Sequence, residues 1–546
     1  MKRCFKLSLV GLLLTGMLYC GNLWATQPGL VLLITVDQLR GDFARRIEDR
    51  LTPDGFRYPL EHGTVYLNAH YSHLLTSTAA GHAALMTGAN TPQHGMAGNE
   101  WFDLSTRRAM YNTEDRDHPI LGETEIPGEG RSPRNLLSPT IADQLVASSE
   151  GKSRVFSASL KDRGAIIPAG QSGKAFWYSK TTGKFVSSSY YYPEYPEWVV
   201  RWNNAGHADQ YRDQNWELLL DRDRYVFHDR DDRWFEKPEG LLGRTFPHPL
   251  GNPDSKAFYS SLRSTPMADQ LLLSFVKEWI EAENMGNEGQ TDLLAVSFSA
   301  TDYVGHDFGP NSLEAEDNLL RLDRTLQELF RFLDQRVGLD RTLVVLASDH
   351  GVAPAPERMA RLGTGAQRLH PVRFMQRANA SLRARFEIDS DLAIAFFKPG
   401  IYLDDIRLEA LGLDLVDVER ALAAEFMQMP GFSAAYSRSD ILAGRLPDTD
   451  RVNMVAQSIH PNRSGHVILV QEPFWFLSSD PEDNAATHGS PYAYDTHIPV
   501  MIAGPGIIRQ RVIARVDPRG LAPTVCKYLG ITRPPDATGQ ILPGLE

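Results

Sequence analysis

Three short aliphatic runs in this chain each end at side chains that can bind a metal ion. Thr342–Ala347 (Thr-Leu-Val-Val-Leu-Ala) passes straight into Ser348-Asp-His-Gly351, so Asp349 and His350 fall at its end. Leu30–Val36 ends in Asp37, and Leu293–Phe298 leads into Asp302 and His306. Runs this short, almost wholly apolar and partly β-branched, suit strands buried on both faces of a parallel sheet. In an open α/β sheet, ligands bind in the crevice outside the carboxyl ends of the strands. Three strand ends that deliver Asp or His there narrow both the fold and the kind of site it carries.

The segments between the runs read as helices. Thr76–His82 is hydroxyl-rich and leads into Ala83–Thr87, a cap followed by a good helix former. Pro139–Ala147, Met267–Ala282 and Glu314–Val337 also read as helices, and Arg154–Ser157 and Ile498–Ile502 as further strands. This alternation predicts an α/β fold: a mostly parallel central sheet with helices on both faces. Two stretches break the rhythm. Residues 174–247 are rich in Trp, Tyr, Arg and Asp, and residues 371–482 mix a helix (Val416–Met427) with strands and loops. Both read as insertions that cover the strand carboxyl ends within a single catalytic domain, residues 26–546. The aromatics Trp177, Tyr178, Tyr190 and Tyr191 read as insertion core.

Residues 1–25 read as a cleaved signal peptide: a basic start (Lys2, Arg3, Lys6), the apolar stretch Leu7–Leu18, then Leu23-Trp24-Ala25. The expectation is a periplasmic or secreted protein with no stable membrane anchor. Cys4 and Cys20 leave with that segment, so Cys526 remains alone and no internal disulfide can form. The segment takes three positive charges and no negative ones, which moves the formal net charge from −12 to −15. A field of that sign argues against nucleic-acid binding and against attraction to anionic membranes. An anionic substrate would need local positive charge, which metal ions supply.

The hard and borderline ligands at the strand ends are Asp37, Asp302, His306, Asp349 and His350, with His488 later in Ala486-Thr-His-Gly-Ser490. Imidazole and carboxylate suit zinc, and a catalytic zinc keeps an open position. Asp302 and His306 are four apart, so one helical turn aims both at one ion. Six ligands are too many for one tetrahedral ion but suit two, and two ions about 4 Å apart can clamp an in-line phosphoryl displacement. Thr78, at the expected helix start, is a hydroxyl placed where negative charge is favoured; from the residues alone, Ser77 and Thr76 compete with it. His460, His466 and His497 lie near His488 in sequence.

The set resembles the alkaline phosphatase superfamily of two-metal phosphotransferases, and within it the threonine-dependent, phosphate-irrepressible bacterial alkaline phosphatases. The stretches that carry the likeness are Val36–Arg40, Thr76–Thr87, Gln93–Gly95, Asn99–Asp103, Ser159–Gly164, Thr301–His306, Ser348–Gly351, Arg463–Gly465 and Thr487–His497, in order over nearly the whole mature chain. The resemblance implies two zinc ions per chain, one held by Asp302, His306 and His488 and the other by Asp37, Asp349 and His350. It places the nucleophile at Thr78, bound to the second ion and forming a phosphothreonine. It gives Asn99 a phosphoryl oxygen to hydrogen-bond, and Lys161 and Arg163 the remaining oxygens. His82 and His94 match too and read as structural. Two cations favour the dianion of a monoester over a diester, so the expected substrates are small phosphate monoesters, acted on by a monomer or homodimer. The alternatives are a phosphodiesterase or nucleotide pyrophosphatase on the same metal core, and a non-catalytic metal-containing binding protein. Cys526 lies far from the nucleophile position, which argues against a sulfatase.

Overall fold

The computed structural model describes residues 27–123 and 128–545; the expected signal peptide lies outside the described residues. An 11-stranded sheet forms the centre. Seven of its strands are β1 (Leu30–Val36), β2 (Thr64–His70), β3 (Val155–Ser159), β4 (Lys174–Tyr178), β5 (Asp292–Phe298), β6 (Thr342–Ala347) and β7 (His497–Ala503). The middle of the sheet is the parallel run β6-β1-β5-β3-β4. β7 runs antiparallel to both β6 and β2. The sheet is therefore parallel at its core and mixed towards its edges, as large doubly covered sheets often are.

Register sets the site. Thr35 of β1 pairs with Ser297 of β5 on one side and with Ala347 of β6 on the other. All three strands therefore end at the same level, and the Asp37 amide donates to the Phe298 carbonyl at 2.9 Å. Successive residues of β1 face opposite sides of the sheet. Leu30, Leu32, Ile34 and Val36 enter one core with Phe275, Trp279 and Leu326, whereas Val31 and Leu33 enter the other with Leu85 and Val525. Both faces are thus buried, which is why the runs carry no polar alternation.

Four helices matter for the site: α1 (Thr78–Thr87), α2 (Asp162–Ala169), α3 (Ala300–Phe308) and α4 (Leu313–Arg336). α1 ends at Gly88, whose φ of 69° is the left-handed conformation that closes a helix. α3 follows β5 after a single residue, Ser299, and so carries Asp302 in its first turn and His306 one turn later.

The stretch read as an insertion from residue 174 opens instead with a strand of the main sheet. β4 pairs in parallel with β3, and Phe185–Ser188 adds an antiparallel strand beside it. β4 is buried along four of its five residues, so its Ala-Phe-Trp-Tyr run shows no alternation by which to recognise a strand. Trp177, Tyr178 and Tyr191 are core residues, with Tyr190 packed at the margin. Residues 371–482 build a four-stranded antiparallel sheet from Ala393–Phe397, Gly400–Leu403, Val467–Gln471 and Phe432–Ser437. It has its own core, including Ile401, Leu422, Phe426 and Leu469. Cys526 is buried and unpaired.

α1 approaches the end of β6 more closely than a side chain allows. A Cβ at Gly81 would lie 2.1 Å from the backbone oxygen of Asp349. In an ordinary helix interior, Gly→Ala stabilises by about 1 kcal/mol. Here Gly81→Ala is expected to destabilise by about 1–3 kcal/mol through overpacking, read as a lower thermal unfolding midpoint; an unchanged or higher midpoint contradicts this account.

Candidate active site

The strand ends bring the six ligand-type side chains into one buried crevice. The ligand atoms of Asp37, Asp349 and His350 lie within 4.8 Å of one another, and so do those of Asp302, His350 and His488. His350 is common to both groups, so they adjoin, and its ring stacks on that of His488 at 3.6 Å. His306 joins through Asp302: the His306 and His488 Nε2 atoms lie 3.3 and 3.7 Å from Asp302 Oδ1. His460, His466 and His497 belong to other surroundings. His466 Nδ1 accepts from the Leu403 amide, and the ring of His497 stacks on His70.

Each of the three histidines has its Nδ1 on a backbone carbonyl. The partners are Ala486 O for His306 (2.8 Å), Gly351 O for His350 (2.9 Å) and Thr76 O for His488 (2.7 Å). A proton held on Nδ1 leaves Nε2 as the free lone pair, the arrangement in which imidazole binds a metal. The carboxylates fit cations equally well. Both carboxylate oxygens of Asp37 are buried and accept no hydrogen bond, a cost that a buried charge avoids only by pairing or coordination. Burial, and then the charges of Asp302 and Asp349, raise the Asp37 carboxyl to about 8. Burial pushes Asp302 upward too, but Lys161 and His306 overcome it and hold that carboxyl well below the usual range.

Lys161 reaches into the middle of this cluster. Its Nζ donates to Asp302 Oδ2 at 2.5 Å and lies 2.6 Å from Asp37 Oδ2 without hydrogen-bond alignment. Arg163, two residues on in the first turn of α2, donates instead to the Tyr111 hydroxyl at 3.1 Å. That hydroxyl donates to Asp162, which Arg131 also holds at 2.8 Å. The structure thus places Lys161 between two ligand carboxylates and Arg163 beside them on a braced support.

The three candidate hydroxyls differ in their engagement. Thr76 is occupied: its Oγ1 exchanges hydrogen bonds with Ser490, at 3.1 Å as donor and 3.0 Å as acceptor, and so latches the segment that carries His488. Ser77 Oγ is buried without a partner. Thr78 Oγ1, at the first position of α1, has only His350 Nε2 near it, at 3.5 Å. Asn99 Oδ1 accepts from the Ala79 amide at 3.0 Å, which orients the Asn99 amide and leaves its Nδ2 as the donor. A cavity of about 230 Å³ opens onto Ser77, Asn99, His306, Lys398 and His488.

Gln38 and Lys398 were not singled out from the sequence; His82 was, as structural. Gln38, next to Asp37, has a φ of 68°, and such backbone strain in a non-glycine residue gathers at functional sites. Its side chain donates to Asp302 at 2.8 Å and its amide to Asp349 at 3.2 Å, so one residue braces two of the carboxylates. His82, which reads as structural, holds Asp349 from behind, with Nδ1 at 3.1 Å from Oδ2 and Nε2 on Ser297 Oγ at 3.0 Å. Lys398, from the small sheet, donates to the His488 carbonyl. Position next to Asp37 was a signal for Gln38; nothing local marked Lys398.

A family model described as type I phosphodiesterase / nucleotide pyrophosphatase matches residues 31–491. Alkaline phosphatase PafA of Elizabethkingia meningoseptica is 34% identical over 522 residues, 94% of each chain. A Myroides odoratus protein named calcium-transporting ATPase is 33% identical over 93% of each chain. Alkaline phosphatase PhoV of Synechococcus elongatus is 30% identical, covering 95% of this chain and 93% of its own. The crystal structure of PafA superposes with a TM-score of 0.87, over 94% of this chain and 98% of that one, at 34% identity. A structure of a PafA variant, with a threonine changed to serine and an asparagine, a lysine and an arginine changed to alanine, matches at 0.85 with 33% identity over the same shares.

The position of His82 behind Asp349 makes a separate claim. His82→Phe is expected to weaken metal-ion binding by this cluster about 10- to 100-fold, the usual effect of losing a group that orients a ligand. Competition against a chelator measures it; an unchanged affinity reduces His82 to packing.

Proposed function

The chain belongs to the type I phosphodiesterase / nucleotide pyrophosphatase family, within the alkaline phosphatase superfamily, and on that premise we propose that it works as an exported two-zinc alkaline phosphatase using Thr78 as its nucleophile. It is a phosphoric monoester hydrolase, as its relatives PafA and PhoV are named. The observation that carries the Thr78 reading is a buried hydroxyl at the first position of α1 whose one near partner is His350 Nε2, at 3.5 Å, the side chain common to both groups of ligand-type residues.

Asp302, His306 and His488 would hold one zinc ion, and Asp37, Asp349 and His350 the other. Bound there, the ions supply Lewis-acid stabilisation to the oxygens that gain charge during an in-line displacement. The chain supplies the rest. The free N–H groups and dipole of α1 favour the phosphoryl anion beside Thr78. Asn99 Nδ2 donates to a phosphoryl oxygen, its direction set by the Ala79 amide on Oδ1. Lys161 and Arg163 would offer positive charge to the remaining oxygens, Lys161 by turning from the Asp37 and Asp302 carboxylates once bound ions neutralise them, which favours a dianion. Thr78 Oγ1 gives up its proton to water as it bonds to phosphorus, and the substrate's P–O bond breaks on the opposite side, the leaving alkoxide taking a proton from water to depart as the alcohol. Water then cleaves the phosphothreonine, freeing inorganic phosphate and restoring the hydroxyl.

A diesterase is the second reading, favoured by one observation. Lys161 pairs with Asp37 and Asp302, which turns it towards the ligand carboxylates. The free Thr78 hydroxyl argues against a purely binding role. No helix among the described residues is long and apolar enough to cross a membrane, and the export reading rests on the basic and apolar start of the chain.

Hydrolysis of p-nitrophenyl phosphate and of its methyl diester, with zinc at mildly alkaline pH, tests the reading. Monoester turnover should dominate, vanish with a chelator and vanish in Thr78→Ala. Replacing Lys161 and Arg163 together by Ala should cost monoester kcat/KM about 10²–10³-fold, the scale of losing transition-state donors, and the diester far less. Equal losses on both substrates would move the protein to the diesterase branch.

A further inference from the structure

A second concentration of positive charge lies outside the ligand cluster. A cavity of about 460 Å³ is lined by Arg230 and Arg233 from one segment and by Arg358 and Arg361 from the helix Pro356–Arg361. Asp229, Asp231 and Asp232 line it as well, but their charges are taken up. Asp231 pairs with Arg222 at 2.6 Å and Asp232 with Arg244 at 2.9 Å, two arginines outside the lining, whereas Asp229, 3.5 Å from Arg230, offsets that lining arginine and leaves the excess charge to Arg233, Arg358 and Arg361. Glu357, on the same helix as Arg358 and Arg361, is held by Arg368 at 2.6 Å. Arg233 is buried with one guanidinium nitrogen lacking any hydrogen-bond partner. Its ion-pair partner is Glu236 at 3.8 Å. Burial, and then the charge of Glu314, raise the Glu236 carboxyl to about 9. Burial and the neighbours Arg233, Arg230 and Arg46 depress Arg358, the mark of crowded cations.

We propose that this cavity binds a phosphate-type oxyanion at a site distinct from the catalytic one. The planar guanidinium fork matches phosphate oxygens in pairs. A concave cavity of this size suits a small anion, and the net charge of −12 disfavours a polyanion spread across the surface. The anion would be either inorganic phosphate or a second phosphoryl group on a substrate held at the catalytic crevice. The segments behind the cavity are tied to the helix that carries His306. Phe235 packs with Ala355 and Ala485, the Ala485 amide donates to the His306 carbonyl at 2.7 Å, and the Lys237 amide donates to the Asp307 carbonyl at 2.7 Å.

The test compares the zinc-loaded wild type with the double variant Arg358→Met, Arg361→Met. Both positions are at least partly exposed, so folding should survive, as an unchanged unfolding midpoint would show. Equilibrium dialysis against labelled inorganic phosphate counts the bound anion. If free phosphate is the ligand, the wild type takes up one phosphate more per chain than the variant. If a substrate group is the ligand, kcat/KM for a sugar bisphosphate relative to p-nitrophenyl phosphate falls at least about tenfold in the variant, through KM, as expected for lost charge-assisted contacts. Equal phosphate uptake together with an unmoved ratio overturns the site. The kinetic arm rests on the phosphomonoesterase reading, which wild-type turnover of p-nitrophenyl phosphate tests alone; no turnover with the extra phosphate still counted would sink that reading and keep the site.

Discussion

Three carboxylates share one buried crevice, and the rest of the site is arranged around that fact. Asp37, Asp302 and Asp349 are each nearly or wholly removed from solvent. Two like charges 4 Å apart repel by about 4 kcal/mol at the effective dielectric found near protein groups, and desolvation adds to that. A chain tolerates such a cluster only by protonating it or placing cations within it. Both responses are visible here, in the raised Asp37 carboxyl and in the Lys161 amine set between Asp37 and Asp302. A fold that accepts this cost beside three strand ends presents a candidate site for metal ions. The in-register pairing of β1 with β5 and β6 is the means of bringing the three together.

Much of the local sequence then serves precision. Gly81 lets α1 sit against the Asp349 backbone, and Gly305 leaves room for Gln38, whose Oε1 would lie 1.8 Å from a Cβ there. The backbone carbonyls on three Nδ1 atoms fix the ring faces, and Gln38 and His82 fix the carboxylates. Small residues and unremarkable amides thus do as much for the geometry as the ligands themselves. Their contribution is to remove the freedom that would let the ligands drift, as orienting groups around metal ligands do elsewhere.

The strand ends were legible because both signals are local: an unbroken apolar run and the Asp or His at its end. α1 was legible from its hydroxyl-rich start and alanine-rich body. Choosing His488 over three neighbouring histidines needed the Thr-His-Gly match, since spacing alone favoured none of them. The reading failed where the cause is non-local. β4 looks like insertion because its aromatic residues are buried on both faces, so burial erased the alternation that would have marked a strand. Gln38 meets an aspartate 264 positions away and Lys398 a carbonyl 90 positions away. No pattern within either segment announces such a partner.

The two ends of the catalytic pocket answer to different parts of the chain. His306 and His488 form one wall of the 230 Å³ cavity, while Phe397 and Lys398 from the small sheet form another. That sheet is fastened to the phosphoryl side by the Lys398 amine on His488 and by Arg463, whose guanidinium bonds Gly95 and Asn135 carbonyls at 2.7 Å each, near Asn99. The crevice that gathers the ligand-type side chains therefore belongs to the main sheet, while part of the cavity that opens onto it belongs to residues 371–482. Because Lys398 both lines that cavity and holds the His488 carbonyl, the small sheet shapes the approach to the crevice and braces one of its histidines at once.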